Sequence, residues 1–114
     1  MKPKIIKAGN LRENNYGATK VTDILNSKEW PYFSIAKVRK TGNDVRTGYD
    51  KESNVVYYVL EGKSSCFING KKYYIQKGDC VILPKGTKYK NLKGLTLLAI
   101  SYPRFDRKKR VYID

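Results

Sequence analysis

Short apolar stretches separated by turn residues dominate the pattern of hydrophobic and polar positions along the chain. The stretch 54–60, NVVYYVL, is almost continuously apolar, which is typical of a strand buried on both faces. Stretches rich in aromatic and β-branched residues predict further strands over 31–38, 79–83 and 95–101. Residues 19–26, TKVTDILN, fit either a helical face or a short strand, and the pattern leaves both open.

Glycines punctuate these stretches and predict where the chain turns. Asn69 and Gly70 separate SCFI from KKYYIQ, and this dipeptide readily adopts the positive φ angles of a tight type I′ hairpin turn. Gly62 is expected to end a strand at a turn, because glycine tolerates such angles. The recurrence of turn signals at roughly 8 to 12 residues predicts an all-β sandwich or barrel. The turn glycines are Gly42, Gly48, Gly62, Gly70, Gly78, Gly86 and Gly94.

The chain length and composition indicate one globular domain. The 114 residues are 40% hydrophobic, which suffices for a core without covalent staples. No apolar run is long enough to span a bilayer, and the basic N-terminus, MKPKIIKAGN, lacks the apolar stretch of a signal peptide. We therefore expect a soluble cytoplasmic protein that does not engage membranes. Cys66 and Cys80 are too few for a secreted disulfide scaffold and are expected to stay reduced.

The charge balance is strongly basic. Lys and Arg total 24 against 10 Asp and Glu, so the net charge is +14. Such a charge favours anionic partners, including nucleic acid and phosphorylated metabolites. The basic residues are scattered, as on a solvated surface, and only RFDRKKR (104–110) forms a dense run. The sequence leaves open whether this charge serves a partner or only solubility.

One spacing of glycine and proline resembles the second conserved motif of the cupin superfamily. In that motif a glycine is followed by five residues, a proline, one residue, a glycine, two residues and a histidine. Gly78, Pro84 and Gly86 match, while Tyr89 stands in the histidine place. The asparagine that closes the family motif is replaced by Lys93.

The first cupin motif is matched only by its outer glycines, Gly42 and Gly62. Gly48 and Asp50 stand in its two histidine places, and Val55 stands in its glutamate place. The resemblance implies that these three positions and Tyr89 are where other cupins hold a metal. Imidazole is the usual ligand in such sites, and the chain contains no histidine. We therefore predict a protein without a metal or other cofactor, which excludes the metal-dependent activities of many cupins.

The resemblance implies an all-β fold, a cupin-type double-stranded β-helix or jelly-roll barrel in a single domain. Residues 1–29 are then an N-terminal strand or arm, 30–103 the barrel, and 104–114 a packed or exchanged tail. Cupins of this kind are commonly homodimers, so a homodimer is expected. Trp30 and the aromatic pair at 32–33 are suited to its interface or to the monomer's own core.

Strand alternation predicts an aromatic-lined pocket in place of the metal site. Tyr57 shares a strand face with Val55, which points into the barrel in the family, whereas Tyr49 and Tyr58 should point outward. The predicted ligand-binding residues are Gly48, Asp50, Tyr57, Lys88 and Tyr89, with Lys88 near the rim suited to a phosphate. The predicted ligand is a small polar or anionic metabolite of the sugar or sugar-nucleotide class. An equal alternative is that the tyrosines only fill space.

Two further functions remain open at this level. A sugar-nucleotide isomerase or epimerase relative would use Asp50 as base and Tyr89 as acid, as the candidate catalytic residues. A nucleic-acid-binding barrel would use the aromatic and basic residues interleaved in KKYYIQK and KYKNLK. The sequence leaves catalysis undecided.

Overall fold

The structure, a computed structural model, describes residues 1–113 and contains ten strands in that part of the chain. Two short 3-10 turns, Ala8–Asn10 and Arg107–Lys109, complete the secondary structure. The prediction of an all-β domain is confirmed. The strands are β1 (Glu13–Tyr16), β2 (Thr19–Ser27), β3 (Trp30–Lys40), β4 (Gly48–Asp50), β5 (Asn54–Ile68), β6 (Lys71–Gln76), β7 (Cys80–Leu83), β8 (Tyr89–Asn91), β9 (Leu95–Tyr102) and β10 (Arg110–Tyr112).

The long strand β5 takes part in two sheets and joins them. Its first part pairs with β9 and β7, so that the first sheet has the order β1-β2-β3-β9-β5-β7. Its second part pairs with β6 and β8, so that the second sheet has the order β6-β5-β8-β4-β10. Every described pair is antiparallel, and the whole assembly curls into a half-barrel.

Gly62 corrects one expectation about the turns, because it lies within β5 and does not end a strand. Its φ is +91°, and the pairing of β5 with β9 shifts register between Val59 and Glu61. A Cβ atom at Gly62 would stand 2.0 Å from the carbonyl oxygen of Gly94. The glycine thus permits both the bend and the close approach that let one strand serve two sheets.

Other sequence predictions hold. Asn69 and Gly70 have φ angles of 49° and 82°, as a type I′ turn requires. The ambiguous segment 19–26 lies in β2, which pairs with β3 across two register shifts. These irregularities explain why its period of two was hard to see.

The core lies between the two sheets. Within β5, Val55, Tyr57 and Val59 are buried, while the intervening Tyr58 is 43% exposed, so the predicted alternation is confirmed. Tyr89 enters the same core from β8. The buried hydrophobic cluster comprises Val55, Tyr57, Val59, Cys66, Ile75, Leu83, Tyr89, Leu95 and Leu97.

The first and the last strands both extend the sheets, whereas residues 1–12 precede the first strand. β1 and β2 extend the first sheet beyond β3, and β10 pairs with β4 in the second sheet. Within this single chain the tail contributes β10, and an exchange of tails between two copies stays a prediction. Cys66 is buried, Cys80 is exposed, and both are free thiols. No helix within residues 1–113 is long and apolar enough to cross a membrane.

Candidate functional site

Two tyrosines meet inside the barrel, as strand alternation predicts. Tyr57 comes from β5 and Tyr89 from β8, and both side chains are buried. Their ring centroids lie 5.3 Å apart at an interplanar angle of 57°, and their hydroxyl groups are hydrogen-bonded to each other. The hydrophobic cluster of the barrel thus contains a polar contact between two buried hydroxyl groups.

Arg110 adds a positive charge to this pair. The register of β10 on β4 sets Arg110 opposite Asp50, and its guanidinium carbon lies 4.7 Å from the centroid of the Tyr89 ring. The same carbon lies 5.7 Å from the Tyr112 ring. A guanidinium group over an aromatic face is held by cation–π attraction. We call Tyr57, Tyr89 and Arg110 the inner cluster.

Gly48 explains how the guanidinium group fits. Gly48 pairs with Tyr89, and a Cβ atom at Gly48 would stand 3.0 Å from Nη2 and 3.1 Å from Nε of Arg110. The same atom would stand 3.2 Å from Cδ1 of Tyr112. In the cupin motif this position holds a metal-binding histidine. Here glycine has no side chain, and this leaves room for Arg110. The guanidinium group therefore occupies the space in which other cupins place a histidine that binds a metal.

The edge of the barrel at Gly48 and Asp50 is covered by the C-terminal strand, because β10 pairs with β4 there. Arg110 lies at this edge and is only partly buried. A ligand approaching this side would meet the Arg110 side chain first.

Asp50 is buried but has a structural role. Its Oδ1 accepts hydrogen bonds from the backbone N–H groups of Glu52, at 2.9 Å, and Ser53, at 2.6 Å. Its Oδ2 is buried and has no hydrogen-bond partner within residues 1–113. The carboxylate therefore fixes the turn after β4 with one oxygen and leaves the other as an unused acceptor. No hydrogen bond joins it to Tyr89 in the described part of the chain.

The residues at the four family ligand positions do not fit a transition-metal site. Gly48 and Val55 offer no side-chain donor, and Asp50 uses one oxygen in a turn. Residues 1–113 contain no group of three or more cysteine or carboxylate side chains placed to hold a metal ion. The guanidinium group of Arg110 beside Tyr89 would also repel a metal cation.

Protonation states follow from this environment. Burial raises the pKa of Tyr89 to about 12, although the charge of Arg110 and its hydrogen bond act in the opposite direction. Burial by itself lowers the pKa of Arg110, but Tyr89 and Tyr112 outweigh that effect and the pKa is raised. At neutral pH Tyr89 is thus a neutral hydroxyl and Arg110 a cation. Such a pair can donate hydrogen bonds to an anion or a carbonyl oxygen.

A partly buried ion pair, which sequence reasoning did not identify, is linked to the strand that contains Tyr89. Lys40 is buried, and its ammonium group contacts Asp44 and the hydroxyl of Thr19. Asp44 also accepts a 2.8 Å hydrogen bond from the backbone N–H of Asn91, the residue two beyond Tyr89 on β8. The pair therefore holds β8, and with it Tyr89, against the end of β3.

Lys88 lies apart from the other predicted ligand-binding residues. It lines a groove of about 450 Å³ on the outer surface together with Phe67 and Lys90. Because Tyr89 points inward, its neighbours Lys88 and Lys90 point to the opposite side of the sheet. A second surface cavity, of about 360 Å³, is lined by Gly62, Lys63, Gln76 and Lys77. The structure thus brings Gly48 and Tyr57 to Tyr89 but leaves Lys88 outside.

Comparison with known proteins agrees with this architecture. Residues 23–103 match the family described as mannose-6-phosphate isomerase, cupin domain. The chain belongs to this cupin family. An uncharacterized protein of Aquifex aeolicus is 30% identical over 98% of this chain and 95% of its own length. A protein of Methanocaldococcus jannaschii is 33% identical over 46% of both chains.

Solved structures confirm the predicted jelly-roll fold of this cupin. A variant of Streptomyces PAC13 with uridine superposes with a TM-score of 0.88 at 14% identity, covering 99% of this chain and 92% of that one. Pac13 is described as a nucleoside dehydratase. KdgF from Halomonas gives a TM-score of 0.74 at 16% identity, covering 94% of this chain and 99% of that one. At such identities the likeness concerns the fold alone.

Proposed function

We propose that this cupin binds a small polar or anionic metabolite, of the nucleoside, sugar or sugar-nucleotide class, at the inner cluster without a metal. The observation that carries the proposal is the guanidinium group of Arg110 over Tyr89, whose hydroxyl contacts that of Tyr57. A cation and two hydroxyl groups lie next to one another there. These are the groups that recognise a phosphate, a carboxylate or a sugar hydroxyl.

Energetics favour a ligand site over simple space filling. Polar groups taken out of water destabilise a core unless they are fully hydrogen-bonded, and apolar residues of similar volume serve packing better. The inner cluster keeps hydroxyl groups and a charge where leucine or valine would suffice. The uridine in the PAC13 structure and the sugar phosphate in the family's description support a ligand of this size and polarity.

An isomerase or epimerase activity is a second proposal, and the free Oδ2 of Asp50 favours it. A buried, unpartnered carboxylate oxygen can accept a proton from a substrate carbon or hydroxyl. Tyr89, neutral at physiological pH, would donate. Replacement of Asp50 by Asn should then abolish turnover of a sugar nucleotide while substrate binding persists. Turnover by the variant at the rate of the unchanged protein would remove this second proposal.

A homodimer is part of the proposal, and the outer face of the first sheet supports it. Val56 pairs with both Ile82 and Ile100 on that face, and Ile82 is 70% exposed. An apolar sheet face of this kind is suited to a second copy of the chain. Light scattering should give twice the monomer mass, and Ile82→Glu should shift the protein toward the monomer. A monomeric mass for the unchanged protein would contradict the dimer.

Titration calorimetry tests the binding site. The panel is uridine, uridine 5′-monophosphate, mannose 6-phosphate and a sugar nucleotide. We expect Arg110→Gln to weaken binding roughly 10- to 100-fold, because a charge-assisted hydrogen bond contributes about 1.5–3 kcal/mol. Lys108→Gln removes the same charge from an exposed side chain nearby and should leave the affinity unchanged. Absence of binding across the panel, or equal losses in both variants, would contradict the proposal.

A further inference from the structure

The outer face of the second sheet concentrates basic and aromatic side chains. Phe67 on β5 pairs with Lys72 of β6 on one side and with Lys90 of β8 on the other. Residues that alternate outward with Phe67 share this face. We call the following set the outer basic face: Lys63, Phe67, Lys72, Tyr74, Lys88 and Lys90.

The aromatic rings of this face are available for stacking. Tyr74 is 82% exposed, and the Nζ atom of Lys72 lies 5.5 Å from the centroid of its ring. Phe67 is partly exposed and lines the groove of about 450 Å³ that Lys88 and Lys90 also line. Tyr74 is too exposed to have a packing role in the barrel.

The face has one sign of charge. Four lysines point outward from this part of the second sheet, and no acidic residue does. The positions counted are those of β6, of residues 63–68 in β5, and of residues 88–91. The outer face of the first sheet is different, since its exposed Lys37 and Arg39 stand beside apolar side chains such as Ile82, and Arg39 is paired with Glu13. The second sheet face therefore combines a groove lined by lysines with an exposed ring, whereas the first sheet face contains an acidic residue and has no such groove among the described cavities.

We propose that the outer basic face binds single-stranded nucleic acid. Lysines along a groove contact successive phosphates, and exposed rings stack on the unpaired bases between them. Double-stranded nucleic acid would meet the lysines but would keep its bases stacked internally, so Tyr74 and Phe67 would remain unused. The site is independent of the inner cluster, because β8 separates Lys88 and Lys90 from Tyr89.

Fluorescence anisotropy with a labelled 12-nucleotide single strand tests the inference at several salt concentrations, with a duplex of equal length as comparison. Lys88→Gln/Lys90→Gln should weaken binding roughly tenfold and lower the slope of log affinity against log salt by about 1.4, at about 0.7 per lost phosphate contact. Tyr74→Ala should weaken binding roughly tenfold with the slope unchanged, because stacking releases no counterions. The single strand should bind more tightly than the duplex.

The control variant Lys2→Gln/Lys4→Gln removes two charges from the exposed N-terminal segment. It should retain the affinity of the unchanged protein. The inference is overturned if this control loses as much affinity as Lys88→Gln/Lys90→Gln, or if the duplex binds equally and Tyr74→Ala has no effect. Either result would mean attraction by net charge alone. Absence of binding at the lowest salt concentration would overturn it as well.

Discussion

The two sides of strand β8 present opposite chemistries. On the inner side, Tyr89 is buried, hydrogen-bonded to Tyr57 and covered by Arg110. On the outer side, Lys88 and Lys90 line an open groove. A strand turns successive side chains to opposite faces, so a spacing of one residue separates a buried polar cluster from a solvated charged surface. Neighbours in the sequence therefore belong to different candidate sites.

This difference predicts different effects of substitutions on the two sides of β8. Groups of the inner cluster share hydrogen bonds and charge, so the loss of one leaves its partner unsatisfied in the core. Groups of the outer basic face interact mainly with solvent and should act almost independently. Inner substitutions should alter stability and metabolite binding, whereas outer substitutions should alter only the binding of polyanions.

The largest expected effect on the inner side is the dependence of stability on pH. The pKa of Tyr89 in the folded protein is about 12, above its unfolded value near 10, so the folded state holds the proton more tightly. The resulting stability is complete below pH 10 and is lost as the pH rises toward 12, by about 2–3 kcal/mol. Urea unfolding of the unchanged protein and of Tyr89→Phe between pH 9 and pH 11.5 measures it.

The stability difference between these two proteins should shrink steadily over that range. Tyr74→Phe removes the same hydroxyl from an exposed ring and serves as the control, with no comparable change. A constant difference between the unchanged protein and Tyr89→Phe would mean that Tyr89 is not held neutral by burial.

A pair of adjacent tyrosines compares the two sides of β5. Tyr57→Phe removes the buried hydroxyl that contacts Tyr89 and should destabilise the fold by about 1–2 kcal/mol, because the Tyr89 hydroxyl loses one of its hydrogen-bond partners in the core. Tyr58→Phe removes the same group from a side chain that is 43% exposed, and should change stability by less than about 0.5 kcal/mol. Chemical denaturation at neutral pH gives both values. Equal effects would contradict the distinction between the faces.

Gly48→Ala tests whether the space beside Gly48 positions the guanidinium group. The new Cβ would displace Arg110 from the Tyr89 ring, because it would lie 3.0 Å from Nη2. Loss of the cation–π contact, worth about 0.5–1 kcal/mol, should weaken metabolite binding about two- to fivefold. Gly42→Ala is the control, because its Cβ would meet only Ala18. Calorimetry showing equal affinities for the unchanged protein and Gly48→Ala would oppose a role for this packing.

The smallest effect is expected from the outer lysines. Lys88→Gln/Lys90→Gln should change the free energy of unfolding by less than about 0.5 kcal/mol, since exposed charges contribute little to stability. The metabolite affinity of this variant should equal that of the unchanged protein. A clear loss of metabolite affinity would instead show that Lys88 contributes to metabolite binding, as the sequence predicted.

Local patterns predicted much of the fold and half of the candidate site. Period-two alternation sufficed to turn Tyr57 inward and Tyr58 outward, and the glycine and proline spacing indicated the cupin barrel. The same period of two places Lys88 and Tyr89 on opposite faces of the sheet. The prediction that Lys88 binds the ligand followed closeness in the sequence and ignored this alternation. Gly62 was misread because an isolated glycine signals a turn and a bend equally well.

Long-range pairing was beyond the sequence patterns. Arg110 closes the dense basic run 104–110, whose composition does not indicate which side chain points inward. The register of the short strand β10 on β4 decides that Arg110 does. The sequence offers only the alternation of Arg110, Val111 and Tyr112, which places Arg110 and Tyr112 on the same face of a strand. The ion pair of Lys40 with Asp44 depends likewise on how an irregular segment folds back on β8. Such contacts join residues that are far apart in the sequence, so the periodicity of a single strand cannot predict them.

The tyrosine rings provide the most direct test of the central claim, that the inner cluster is the metabolite site. The chain has ten tyrosines, with Tyr57 and Tyr89 inside and Tyr74 on the outer basic face. NMR of protein with ¹³C-labelled tyrosine rings, titrated with uridine 5′-monophosphate, reports all of them at once. We expect the signals of Tyr57 and Tyr89 to shift while that of Tyr74 stays in place. Shifts of Tyr74 with the inner signals unmoved would contradict the account.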